Sequence, residues 1–166
     1  MATTLAVGDV ALVGYSADTG GKSLAFVLLT DVEAGTVINI TDNGWLAAGG
    51  FRPGEGVVTY TAPAGGARAG TVITFTGLTG ALNPSTGGDQ FIIYQQNGSA
   101  ITPLFALDFA DGNTTYAGDA TNSNTSAVPT GLVFGDTALA FAADNGAYAG
   151  PLSGTRSELV RTGATR

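Results

Sequence analysis

Ala34-Gly-Thr-Val-Ile-Asn-Ile-Thr-Asp-Asn-Gly-Trp45 is the stretch whose reading decides the fold. Thr36–Thr41 is a β-branched run of strand type. The Asp42-Asn43-Gly44 turn then ends it abruptly, since these residues tolerate the backbone angles of a tight turn. The only tryptophan follows, at Trp45. A strand stopped by turn chemistry and closed by a large ring predicts an all-β module. Asp42-Asn43-Gly44 reads as a structural corner with Trp45 packed beneath it.

Working outward, the same alternation of runs and turns covers the chain. Strand-type runs occur at Leu5–Tyr15, Leu24–Thr30, Thr36–Thr41, Gly56–Thr61, Thr71–Thr76, Gln90–Gln95, Ile101–Phe109 and Thr137–Ala142. Two of them, Val57–Thr61 and Thr71–Thr76, alternate cleanly and should be wet on one face. Phe26–Leu29 and Phe91–Ile93 are continuously apolar, as expected of central strands. Asn97-Gly98 predicts a hairpin. Asp111–Ser126 has almost no apolar residue except Tyr116 and reads as a surface loop with a purpose or a mobile flap. Helix is expected only near Gly154–Arg161, where Thr155-Arg-Ser-Glu158 resembles a capping box. No internal repeat is evident. The expectation is therefore one antiparallel β-sandwich over residues 1–166, with at most one short helix near its C-terminus.

Composition agrees. The 166 residues include 26 glycines, and only 11% are charged, so the usual residues of helix surfaces are scarce. Thirteen acids face six bases, giving a net charge of −7. Lys22 is the one lysine, and three of the five arginines fall after Gly154. Nucleic-acid binding needs clustered cations and is not expected. No apolar run is long enough to span a bilayer as a helix, so no membrane insertion is expected. With neither His nor Cys, disulfides, thiolate chemistry and Ser-His-Asp constellations are excluded. A paired-carboxylate hydrolase needs only two acids, but most acids here sit in turns. Thr19-Gly-Gly-Lys-Ser23 imitates a phosphate loop, yet it lacks the first glycine and the following helix. It reads as a hairpin loop.

Oxygen-rich turns are the remaining chemistry. Calcium takes six to eight oxygen ligands and accepts mixtures of carboxylate, amide and backbone oxygen. Zinc and copper sites want His or Cys. If a loop binds calcium, Asp108, Asp111, Asn113 and Asp119 are the expected ligands; the alternative is that these residues only form turns. Trp45, Tyr116 and Tyr148 are candidate stacking platforms for a sugar, although Trp45 reads first as a core or rim residue; the two tyrosines are the ones expected to be exposed.

Val7-Gly-Asp-Val-Ala11, Val13-Gly-Tyr15, Ala25-Phe-Val-Leu-Leu-Thr-Asp31, Ala34-Gly-Thr36 and Thr41-Asp-Asn-Gly-Trp45 form a pattern that continues in Gly88-Asp-Gln-Phe91, Thr121–Ala127, Val128–Leu132 and Thr137–Ala140. In this the chain resembles a family of bacterial secreted and cell-surface domains, similar in layout to the lamin-tail, immunoglobulin-like sandwich. The resemblance implies an extracellular or bacterial cell-surface setting and a matrix role rather than catalysis, and it carries over no ligand residues. The expected function is a non-enzymatic structural protein that self-assembles into a surface layer, filament or matrix, with calcium as the expected ion. The N-terminal run Leu5–Tyr15 is a candidate edge strand for that pairing. The alternative is a carbohydrate-binding or adhesive module whose partner is a cell-surface glycan.

Overall fold

A computed structural model describes residues 1–80, 82–151 and 153–155. Among the described residues there is no helix and there are nine strands: β1 (Val10–Ser16), β2 (Ser23–Leu28), β3 (Val37–Thr41), β4 (Val57–Thr61), β5 (Val72–Thr76), β6 (Asp89–Asn97), β7 (Ala100–Phe109), β8 (Ala138–Phe141) and β9 (Asn145–Ala147). They form a sandwich of two sheets, ordered β5-β2-β1-β9 and β4-β3-β6-β7-β8. Inward-facing Phe26, Leu28, Ile38, Ile40, Phe91 and Phe105 fill the space between them. The helix expected near Gly154–Arg161 lies, from Arg156 on, outside the described residues.

All eight expected runs contain strands, their ends within two residues of expectation except at the start of the first, and one pairs in an unexpected direction. The first strand begins at Val10 rather than Leu5. Residues before it are tied down by side chains instead of a ladder: Thr3 N donates to Thr36 Oγ1 (2.8 Å) and Leu5 N to Gln95 Oε1 (2.9 Å). β1 then lies between β2 and β9, so the N-terminal run is not an edge strand, contrary to expectation. β9 was hidden in the Asp144-Asn-Gly turn, and it pairs with β1 over only three residues. The second sheet is mixed rather than antiparallel, because β8 pairs with β7 in parallel, Ala106 beside Ala138 and Phe109 beside Phe141. A parallel return requires a long connection, which residues 110–137 supply.

That connection has a packing role. It lies over the outer face of the second sheet, where Trp45, Ile92, Ala106, Ala127, Leu132 and Ala138 form a second apolar cluster. β6 is therefore covered on both faces, and residues Asp89–Tyr94 are all buried. A strand dry on both sides needs apolar residues at successive positions, which is why Phe91-Ile92-Ile93 does not alternate. The β6–β7 hairpin turns at Gly98-Ser99, with Gly98 at φ 59° as the first central residue, the angle a type II′ turn demands. Pro103 sits within β7, opposite Tyr94, where the register shifts. A bulge is one of the few places a sheet accepts a residue without an N–H.

Candidate metal centre

Strands β4, β3 and β6 are neighbours, and their antiparallel register brings three acids to one end of the sheet. Asp42 follows the last residue of β3, Glu55 precedes β4 by two residues, and Asp89 opens β6. One carboxylate oxygen from each lies within 4.8 Å of the others. Asp42 and Asp89 are 3% exposed. Among the described residues this is the one such grouping of three acids.

Local turn chemistry holds each acid in place. Asn43 donates through its backbone and side-chain nitrogens to Thr41 Oγ1 (3.0 and 2.7 Å), and its Oδ1 accepts from Glu55 N (2.9 Å). The corner after β3 is thereby clasped to the turn before β4. Asp42 accepts from Gly56 N (3.1 Å) and Asn83 N (2.9 Å). Asp89 accepts from Ser85 N (2.8 Å) and Gln90 N (2.9 Å). The Gln90 side-chain amide donates to the Asp42 carbonyl, to Ser123 O (3.0 Å) and to Asp89 Oδ1 (3.2 Å).

Three carboxylates in a dry corner cannot all be charged without compensation. Burial pushes Asp89 up to about 8, against the N–H groups of Gln90 and Ser85, with Asp42 and Glu55 adding to the rise. Glu55 is pushed to about 7 by burial and then by Asp42, while Arg52 pulls it down. Asp42 is raised by burial, a rise its backbone hydrogen bonds to Asn83 and Gly56 oppose. Among the described residues the one ion pair within 4.0 Å is Arg68–Asp31, on the surface and away from this corner. The cluster must therefore hold protons or a cation.

Two atoms speak to which. Glu55 Oε2 and Gln90 Oε1 are enclosed and have no hydrogen-bond partner. Gln90 is fully buried, and its amide nitrogen already contacts Asp89 and Asp42, so its orphaned oxygen is held in the same corner. Buried acceptors left unsatisfied are costly and call for a donor or an ion. Oxygens bound to one calcium at about 2.3–2.6 Å stand up to about 5 Å apart across the ion, and the three carboxylates fall within that span. Asp42, Glu55 and Asp89, with Gln90 beside them, are an all-oxygen set that fits a hard divalent cation.

Of the ligands expected from sequence, Asp108, Asp111 and Asp119 do not bring their carboxylates together as a group of three. Asp108 is buried, and burial with nearby Asp111 raises it to about 7. Asp111 is occupied by Asn113, whose N and Nδ2 both donate to it (2.8 and 2.9 Å). Asp119 accepts from Ala47 N (2.8 Å) and Ala120 N (2.9 Å), pinning the long connection to the loop after Trp45. The metal-site expectation moves from Asp108, Asp111, Asn113 and Asp119 to the corner that begins at Asp42. From sequence Asp42 reads as part of a structural corner, and without the strand register nothing joins residues 42, 55 and 89. Asp89 at the very start of an apolar strand, and Glu55 in Pro53-Gly-Glu-Gly56, were the available signals.

The stacking platforms are mostly inside. Trp45 is 4% exposed and packs edge-on against Phe51 at 5.0 Å, its Nε1 donating to Thr130 Oγ1 (3.2 Å). Tyr116 was expected to be exposed, but its hydroxyl is enclosed and its ring meets Phe134 edge-on at 6.0 Å. Trp45 offers no free face to a sugar, because the long connection folds down over it, and Tyr116 is half-buried within that connection. Tyr148 is half-buried and donates to Pro151 O (2.9 Å). It lines an apolar cavity of about 560 Å³ with Leu12, Tyr15, Leu107 and Phe141. No protein-family model, curated protein or solved structure matches the chain.

Proposed function

We propose that the protein is a non-enzymatic structural β-sandwich of the bacterial exterior, cross-tied by one hard divalent cation, calcium by its ligand chemistry, and associating with copies of itself in a surface layer, filament or matrix. The observation that carries this reading is the Asp42–Glu55–Asp89 corner, with Asp42 and Asp89 buried, Glu55 half-buried and Glu55 Oε2 unpartnered. A cation there links the ends of β3, β4 and β6 in the way a disulfide would in a cysteine-containing exported domain. The chain has no cysteine to do so. The resemblance of its sequence pattern to exported bacterial domains supports the setting.

A non-catalytic role is favoured by where the groups lie. The apolar cavity has no acid in its lining, and the buried acids Asp42 and Asp89 are held by backbone N–H groups. A paired-carboxylate hydrolase needs both in one cleft, with room for a sugar ring.

The test is calorimetric titration of calcium chloride into protein first treated with a chelator. One calcium per chain is expected, with binding lost or weakened at least tenfold in Glu55→Gln and folding retained. Absence of binding to the wild-type chain would overturn the cation site, and unchanged binding in Glu55→Gln would place the ion elsewhere.

A further inference from the structure

The two strands that flank one side of the sandwich carry the same pattern. β4 is Val57-Val-Thr-Tyr-Thr61 and β5 is Val72-Ile-Thr-Phe-Thr76, and both alternate exposed and half-buried residues in the same phase. Each is the outermost strand of its sheet. They flank the same side, since the Tyr60 ring of β4 meets Phe26 of β2, the neighbour of β5. The opposite edges, β8 and β9, are four and three residues long and are joined by residues 142–144. Very short edges template poorly, and charged residues or proline are the other usual protections. β4 and β5 have none of these: no Lys, Arg, Asp, Glu or Pro falls in either. Val57 and Val72 are 41% and 54% exposed.

We infer that this side pairs with the same side of a second copy, β4 against β4 and β5 against β5, about a two-fold axis through Thr59 and Thr74. This rests on the self-association proposed above and names its surface and symmetry. Each strand is complementary to itself when reversed about its central threonine. Val57 meets Thr61, Val58 meets Tyr60 and Thr59 meets Thr59; in the other sheet Val72 meets Thr76, Ile73 meets Phe75 and Thr74 meets Thr74. β-branched residues opposite aromatics are among the favourable cross-strand pairs. An axis perpendicular to both sheets satisfies the two pairings at once, merging two sandwiches into one.

The self-complementary pattern of both strands selects a second copy as the occupant, and charge leaves this side open to it. A chain of net −7 repels itself over most of its surface, and two five-residue strands free of charge let two copies approach. Size sets the strength. A five-residue strand is about 17 Å long and packed sheets stand about 10 Å apart, so the strip buries a few hundred Å² per partner. That is below the roughly 800 Å² per partner of standard interfaces. The dimer is therefore reversible and concentration-dependent, and larger arrays would be built from dimers.

Sedimentation equilibrium of the full chain in calcium, from about 1 to 500 μM, tests this. A monomer–dimer equilibrium is expected. Thr59 and Thr74 point to solvent, so Thr59→Lys with Thr74→Lys should keep the fold by circular dichroism while placing like charges opposite each other, weakening dimerisation at least tenfold. The same two positions changed to Glu should do likewise, and mixing the lysine and glutamate variants should restore a dimer. Association that is unchanged in the lysine variant overturns this interface and leaves self-association standing. A wild-type chain that stays monomeric throughout overturns both.

Discussion

Gly44 has no room for a side chain. A Cβ there would run into the Thr125 carbonyl and stand 2.9 Å from Ala120 Cβ. The carbonyl cannot retreat, because the next residues are fastened to the same corner: Trp45 N donates to Ser126 Oγ (2.9 Å) and Ala127 N to Trp45 O (2.9 Å). Gly44→Ala should therefore lift residues 120–127 off the second sheet and let water reach Trp45. Overpacking of this kind costs about 1–3 kcal/mol. A urea melt would show a lower midpoint, and emission of the single tryptophan would shift to the red in the native state. An unshifted spectrum with an unchanged midpoint would mean the corner adapts. At this scale the sequence was half legible. The Asp-Asn-Gly-Trp corner declares its turn and its ring, but Tyr116 sits among polar neighbours that give no hint of its burial. Its environment is made by Phe134 and by the strands the loop crosses, none of them near it in the chain.

Among the elements, β9 shows what periodicity misses. Asn145-Gly-Ala147 has no apolar run of its own, and its strand conformation is imposed by β1. The contact that fixes it is close: a Cβ on Gly146 would lie 2.5 Å from Tyr15 Cε1, and Tyr15 Oη donates to Ala143 O (2.8 Å) just upstream. Gly146→Ala should push the ring aside, break that bond and release β9. Hydrogen exchange would report it as lost protection at Asn145–Ala147, with β1–β2 amides still protected. Tyr15→Phe is the milder change: it keeps the ring and loses one hydrogen bond, for a net cost of about 1 kcal/mol. If both variants exchange like wild type, β9 is held by something other than this contact. The longer strands were legible because each supplies its own signal: alternation in β4 and β5, an apolar run in β6, a glycine turn after it. The parallel pairing of β8 was not, since no local pattern distinguishes a strand that returns after residues 110–137 from one that follows a hairpin.

For the whole molecule, the acidic corner couples stability to pH and to cations in a direction opposite to that of ordinary surface acids. In the folded chain Asp89 and Glu55 keep their protons up to about pH 8 and about pH 7. In an unfolded chain both lose them near pH 4. Between those limits the folded state binds more protons than the unfolded one, so stability falls as pH rises. In chelator, the melting temperature should be highest near pH 5 and decline steadily to pH 8.5. For Asp89 alone the decline is on the order of a few kcal/mol. A bound cation replaces the protons and stabilises the ionised acids, so calcium should remove most of the decline and raise the melting temperature more at pH 8 than at pH 5. Asp108, raised to about 7 by burial and Asp111, adds a slope of the same sign that calcium does not touch. Asp89→Asn with Glu55→Gln separates the contributions: it should flatten the chelator profile to the slope left by Asp108 and Asp42 and abolish the calcium response. A wild-type profile that rises from pH 5 to pH 8 in chelator would mean the three carboxylates are already compensated in the folded chain. Residues 42, 55 and 89 act together here only because β4, β3 and β6 are adjacent and antiparallel. Their spacing along the chain follows no ligand motif, and three acids that look like ordinary turn residues become one site when the sheet forms.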